Sequence, residues 1–441
     1  MPEDYGLLAM IFIFNDFATM FVDMGMANAL IRKQRCTKTD CSTVFVTNIC
    51  VSVIIYVVLF LTAPLVAKFY NQELLVPIIR IVGLSFICNA LYSISSVLLT
   101  KKMAFNDKAK ISVISAFCSA VIGISLAYNG FGVWSLVVQI LIVSIINCIL
   151  NFYYSKYKIN FRFSYSVFKE LFGFGSNVLG ANLLFVAYQN IYSVLIGKFY
   201  NPNDVGYFTR ADGYSKLIPI NISTVLMKIM FPMISTIQDD DKELIIYNQK
   251  IIKITSFLII PSALLLAAIA SPLIQVMLTE KWMNCVPLLQ VLSIGIMLEH
   301  ICWINWDFIM VKGYSGLVLK NRILACTVSV ALLLCAFPFG LIWVAVAKGI
   351  GTLFSVLISM KYLNGVLPGC FVGVSKTLSK IFVVASVMAV IAWGMFLFLP
   401  YHIWSIIVVC LLSVGFYFLI SRYIIKNEYN LFWGLFNLKK N

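Results

Sequence analysis

The sequence predicts an all-α polytopic membrane protein. Three observations carry that expectation: the composition, the length of the apolar runs and the placement of the basic residues. Apolar residues make up 61% of the 441-residue chain and charged residues 12%, against roughly 45–50% and about 25% in soluble domains. A soluble fold so composed would expose large apolar patches, whereas lipid accepts them. The runs are about 18–25 residues long, enough to carry a helix across roughly 30 Å of hydrocarbon. Barrel strands would be shorter and would alternate polar with apolar. The net charge of +15 falls in short clusters between runs. That is the pattern of orientation signals, so no nucleic-acid partner is expected.

In chain order, spans are expected near 7–31, 43–66, 74–99, 111–128, 133–154, 171–197, 205–235, 251–277, 286–311, 322–338, 341–363, 380–399 and 402–422, thirteen in all. The connections alternate in character. Lys38, Lys108, Lys156, Arg162, Lys242, Lys320, Lys376 and the tail with Arg422 and Lys440 form a basic set. Asn129–Gly132, Phe337–Gly340 and Pro400–His402 carry no lysine or arginine. The basic set should face the cytoplasm, which puts the C-terminus inside and the N-terminus outside. No basic residue precedes the first run, and Arg32–Lys33 follows it directly.

An internal repeat divides the chain. Pro2-Glu3-Asp4-Tyr5-Gly6 resembles Pro202-Asn203-Asp204-Val205-Gly206, and Ala63-Pro64 resembles Ser271-Pro272. Val76-Pro77 resembles Val286-Pro287, and Phe131-Gly132 resembles Phe339-Gly340. The offsets are 200, 208, 210 and 208, in order. Six helices separate equivalent positions, an even number, so the repeats run parallel. The expected organisation is a bundle of five helices over 1–170, one of six over 171–365, and two further helices with a cytoplasmic tail over 366–441. The counterpart of the 171–197 helix would then precede Met1. Two like bundles suit a carrier that opens a midplane cavity to either side in turn.

Ionisable groups inside spans mark that cavity, since each costs about 2.5–3.5 kcal/mol at mid-bilayer on insertion scales. Arg210, Tyr214, Asn221 and Lys228 share one stripe of their helix, and Asp212, Lys216 and Ser223 the neighbouring one. Asp212 and Lys216 are spaced for an i,i+4 pair. Lys348, Asn182 and Gln189 complete the expected substrate cavity. Its lysines favour an anionic head group, such as a phosphate-linked glycan. Asp16, Asp23, Asp212, Glu299, His300 and Asp307 are the groups expected to couple transport to an ion. Asp23 and Glu299 are favoured because each sits within a span. Each group also has a structural reading: Arg210 and Lys228 as snorkelling side chains, Asp212–Lys216 as a plain ion pair. Trp303 and Trp306 suit packing as well as sugar stacking.

Most of the twelve cysteines lie inside apolar runs, where thiols pack as small hydrophobes. Their spacing, with two histidines in all, suits neither a metal site nor a disulfide framework. No phosphate loop, nucleotide fold or metal signature is present, so no cofactor is expected. Asp239-Asp240-Asp241 reads as a solvated loop.

Pro2-Glu3-Asp4-Tyr5-Gly6-Leu7, Asp23-Met24-Gly25, Ala29-Leu30-Ile31-Arg32-Lys33, Ile196-Gly197-Lys198, Val205-Gly206-Tyr207-Phe208, Phe231-Pro232-Met233-Ile234-Ser235 and Glu280-Lys281-Trp282 resemble the Wzx-type oligosaccharide flippases. These belong to the multidrug/oligosaccharidyl-lipid/polysaccharide exporter superfamily, and the likeness spans nearly the whole chain. The resemblance implies two six-helix bundles with two added C-terminal helices, the first helix being absent here. It implies movement of undecaprenyl-pyrophosphate-linked oligosaccharide across the bacterial inner membrane, for O-antigen, capsule or exopolysaccharide. It also implies alternating access coupled to a proton or sodium ion. A downstream polysaccharide polymerase that pulls the reaction is the other energy source. The family often places an aspartate after an Asn-x pair late in the helix that opens the second bundle. Tyr192 follows Asn190-Ile191 here, so no role for that aspartate carries over. The alternatives are a small-molecule or drug antiporter of the same superfamily, and a membrane glycan polymerase or ligase. The last would need a long external loop, and the external connections here are short.

Overall fold

The structure is a computed structural model. It describes residues 2–23, 26, 30, 36–157 and 159–437, without the side chains at 13–15, 17–19, 21–23, 174–178, 180–182, 184, 185, 187–189, 224–229, 231, 232, 235, 315 and 434–437.

Every regular element among the described residues is a helix. The helices are α1 (Pro2–Asp23), α2 (Lys38–Tyr70), α3 (Leu75–Val82), α4 (Leu84–Lys101), α5 (Phe105–Tyr128), α6 (Val133–Ser155), α7 (Tyr165–Phe199), α8 (Pro202–Thr236) and α9 (Asp241–Ala268). They continue as α10 (Ala270–Leu278), α11 (Cys285–Ile296), α12 (Glu299–Val311), α13 (Ser315–Ala336), α14 (Leu341–Val366), α15 (Val374–Met395), α16 (Ile403–Ile424) and α17 (Lys426–Asn437). Ten segments among the described residues are long and apolar enough to cross a membrane, counting α3–α4 and α11–α12 as one each. The protein is therefore an all-α, multi-pass membrane protein. The other three expected spans correspond to α1, α7 and α8, helices of 22, 35 and 35 residues.

Local chemistry sets the helix ends. Thr37 caps α2 in a reciprocal box: its hydroxyl accepts from the Asp40 N–H at 3.1 Å, and the Asp40 carboxylate accepts from the Thr37 N–H at 2.8 Å. Asp240 caps α9 by accepting from the Glu243 N–H at 3.0 Å. The aspartate triplet is thus a helix start, and Asp241 pairs with Lys312 at 2.8 Å. Gly132 and Gly340, equivalent in the repeat, precede α6 and α14 with φ of 52° and 102°. That backbone region favours glycine.

The chain forms two compact units, Met1–Gly206 and Tyr207–Asn441. In the first, α5 packs on α6, α4 on α6 and α2, and α1 on α7, around a core that includes Val44, Phe45, Ile94, Val97 and Leu171. At one end of this unit the first turns of α1 and α8 cross backbone to backbone. A Cβ on Gly6 would run into the Pro202 carbonyl, and one on Gly206 into the Pro2 carbonyl. The contact is reciprocal between the two copies of the repeated Pro-x-Asp-x-Gly segment. In the second unit, α14 packs on α11, α12 and α13, and α9 on α15. One core cluster there gathers Ile251, Phe308 and Leu363, and another gathers Phe257, Met388 and Tyr417.

Candidate functional site

Three helices of the second unit bring four ionisable groups together. Asp212 and Lys216 lie one turn apart on α8, and Lys216 Nζ donates to Asp212 Oδ2 at 2.8 Å. Lys348, from α14, reaches Asp212 Oδ1 at 2.5 Å. One carboxylate is thus shared by two ammonium groups, and the three side chains are only 13–19% exposed. Glu299, in the first turn of α12, lies within Coulombic reach of both lysines and of Asp212. Lys348 Nζ also stands 5.3 Å from the centroid of the Phe208 ring, a cation–π distance. Mutual pairing holds the set together, and an anion reaching it can compete with Asp212 for either lysine.

A second polar spot lies in the same unit. A cavity of about 20 Å³ is lined by Ser223, Thr255, His300, Trp303 and Asp307 among apolar neighbours. That is room for one water, which needs about 10–15 Å³. The Ser223 hydroxyl is buried and has no hydrogen-bond partner among the described residues. Asp307 is 7% exposed and is not paired with any described residue. His300 is fully engaged: Nδ1 lies 3.0 Å from the Met297 carbonyl and Nε2 2.9 Å from the Ser256 hydroxyl. A carbonyl only accepts, so Nδ1 carries the proton and Nε2 of the neutral ring accepts from Ser256. His300 and Asp307 share the cavity wall, as their spacing predicts, while both ring nitrogens of His300 are engaged elsewhere.

In the first unit, Asp16 accepts from the Asn190 amide at 3.0 Å. The polar partner on α7 is therefore Asn190, a residue that no intrahelical spacing to Asp16 could have revealed. Arg210 lies within electrostatic reach of Cys285. The Asn221 amide donates to the Leu217 carbonyl of its own helix at 2.6 Å. Tyr214 is half-buried on α8. The Trp306 face is covered by Arg322 at 4.6 Å. The side chains of Asp23, Asn182, Gln189 and Lys228 lie outside the described residues.

Comparison with known proteins adds the following. A family model described as polysaccharide biosynthesis protein matches residues 1–287. The teichuronic acid biosynthesis protein TuaB of Bacillus subtilis is 26% identical over 306 residues, 68% of this chain and 63% of its own length. The succinoglycan biosynthesis transport protein ExoT of Rhizobium meliloti is 24% identical over 67% of this chain and 60% of its own length. The lipopolysaccharide biosynthesis protein WzxC of Escherichia coli is 22% identical over 66% of this chain and 60% of its own length. The matches thus span about three fifths of these relatives. The fold is similar to that of a solved structure described as the lipid II flippase MurJ in an inward closed conformation, with TM-score 0.76, 16% identity and coverage of 96% of this chain and 93% of that one. An inward-facing multidrug resistance transporter of the MATE family, in the MOP superfamily, gives TM-score 0.68, 14% identity and coverage of 84% and 91%.

Proposed function

Because this chain belongs to the polysaccharide biosynthesis protein family, we propose that it is a flippase. It moves an undecaprenyl-pyrophosphate-linked oligosaccharide across the bacterial inner membrane by alternating access, and a polysaccharide polymerase uses the product. The observation that carries the reading is Asp212 shared between Lys216 and Lys348. Burying four ionisable groups among transmembrane helices is costly, and a permanent structural pair would need only two of them. A pyrophosphate competes with Asp212 for the two lysines, so the ammonium groups are paired whether or not the head group is bound. Membrane position follows from the basic connections, with the C-terminus cytoplasmic.

Transport against a gradient needs an energy source, and a proton or sodium ion supplies it. Asp307 is the carboxylate best suited to bind that ion, because it faces a water-sized cavity where, among the described residues, Ser223 has no hydrogen-bond partner and no cation lines the wall. Glu299 already has two lysines within reach, and Asp16 a hydrogen bond. Ion binding must differ between the inward and outward states to do work.

The test is export of surface polysaccharide by cells carrying Lys216→Ala or Lys348→Ala, with protein level followed in parallel. Loss of export at parental protein level is expected, with Lys216→Arg retaining more activity than Lys216→Ala. Loss of the protein itself would mean that the lysines serve only the fold. In vesicles, Asp307→Asn should abolish gradient-driven uptake and leave downhill exchange of lipid-linked glycan. A chain that exported a lipophilic cation but left the glycan on one leaflet would be the drug antiporter instead.

A further inference from the structure

We infer that the strap joining α6 to α7 is a docking site for anionic phospholipid head groups. The chain leaves α6 at Lys156 in a left-handed turn, φ 53°, and crosses the first two turns of α2. It is clamped there from below. The Ser42 hydroxyl lies 2.6 Å from the carbonyl oxygens of both Asn160 and Arg162, and the Ser164 N–H donates to Thr43 Oγ1 at 3.1 Å. The Phe45 ring meets Tyr157 at 6.1 Å and Phe161 at 6.0 Å. Ser42, Thr43 and Phe45 are wholly buried. The strap is therefore fixed at the end of a membrane span, which sets its depth at the boundary between hydrocarbon and water.

Its outward face combines two chemistries. Phe161 is 73% exposed, Tyr165 70%, Phe163 52% and Ile159 47%. Four large apolar side chains so close in sequence would be poorly placed in water. Interleaved with them, Lys156, Arg162 and Lys169 are exposed, as is Lys38 at the start of α2. None of these four has an ion pair among the described residues. The acidic side chains nearby are few: Glu170 is exposed, and Asp40 is buried in the α2 cap. Aromatic side chains with cations beside them suit the head-group layer, where rings sit among glycerol and carbonyl groups and cations meet phosphate. A neutral lipid would answer the rings alone, so the charge selects an anionic one. Orientation signalling needs only that lysines be present. It does not need a backbone pinned so that rings and cations emerge together. The inference stands apart from the flippase reading and uses residues of the first unit only.

The purified full chain is titrated in detergent with phosphatidylglycerol or phosphatidylcholine, and the thermal midpoint and bound lipid are read. Phosphatidylglycerol should raise the midpoint, and phosphatidylcholine and inorganic phosphate should not. In the triple variant K156Q/R162Q/K169Q the half-saturating phosphatidylglycerol fraction should rise about fivefold per charge removed, and Arg162→Lys should behave as the parent. F161S/F163S, which keeps every charge, should also bind less. The three cationic side chains are exposed, so the lipid-free midpoint of the triple variant should match the parent; F161S/F163S also removes the Phe161–Phe45 contact, so its lipid response is read against its own lipid-free midpoint. A triple variant that responds to phosphatidylglycerol as the parent does would overturn the site, as would an equal response to phosphatidylcholine or to inorganic phosphate.

Discussion

Asp212 is the residue on which the charged set turns, and its removal should cost more than that of either lysine. Asp212→Asn leaves two ammonium groups facing each other in a largely buried place. Removing one partner of a buried pair costs about 3–5 kcal/mol, less here to the extent that Glu299, within Coulombic reach of both lysines, answers the charge left behind. Lys348→Gln leaves Asp212 still paired to Lys216 at 2.8 Å, a milder loss. The expected order of thermal midpoints in detergent is parent, then Lys348→Gln, then Asp212→Asn. D212N/K348Q should be less damaged than the sum of the single variants; strict additivity would mean that the two side chains do not interact. The members of this set were legible in the sequence, but only one of its contacts was. The i,i+4 spacing announces Asp212–Lys216, and Lys348 stands out as a cation inside an apolar run. Its pairing with Asp212, 136 positions away, leaves no trace in any local pattern. Another residue-scale expectation concerns Cys370, in the turn between α14 and α15. Burial pushes its thiol up to about 12, so it stays protonated at neutral pH, and thiolate reagents should label it only after denaturation. Rapid labelling of the native protein at pH 8 would show that the turn opens.

At the scale of elements, the apolar runs gave away the helices but not their breaks. The expected span 74–99 is two helices meeting at Gly83, 251–277 is two meeting at Ile269, and 286–311 is two separated by Met297 and Leu298. Leucine, isoleucine and methionine at those junctions look like any other apolar stretch. Conversely, Pro64 and Pro261 lie inside unbroken helices, where a sequence rule would place a stop or a kink. Packing decides instead, and one contact shows how. A Cβ on Gly295 of α11 would lie 2.7 Å from the Gly349 Cα of α14, and one on Gly349 3.0 Å from the Gly295 Cα. Small residues let membrane helices approach at the backbone, and this approach fixes α14 one residue from Lys348. Gly295→Ala should therefore cost about 1–3 kcal/mol by overpacking and should disturb the Lys348–Asp212 contact. Gly415→Ala, with open space around it, should be neutral or slightly stabilising. Equal thermal midpoints for the two variants would remove the close approach as a determinant.

For the whole molecule, the repeat was the most legible feature, because Pro and Gly punctuate both copies in register. The structure gives one of those matches a physical meaning. Gly6 and Gly206 are small because each faces the carbonyl of the other copy's proline, a self-complementary contact of the kind a twofold relation produces. Under the proposed topology this crossing lies at the outer face. Reporter fusions test that topology: after Lys38, Lys108 and Lys320 they should read cytoplasmic, and at Asn129 and Phe339 external. Reversal at two of the sites would discard it. Under the proposed alternating access the outer end parts during each cycle, which would make the crossing the closure. Cys285 is a natural reporter, being buried, with its thiol donating to the Tyr207 carbonyl at 3.3 Å, next to Gly206. In a chain where the other cysteines are replaced, Gly206→Ala should wedge the crossing apart. Labelling of Cys285 by an impermeant reagent added outside should then quicken, per unit of folded protein recovered, and export should fall. The Gly6→Ala variant should do the same, since the contact is reciprocal. If both variants label and export as the parent does, the crossing is ordinary helix packing and the outer closure lies elsewhere.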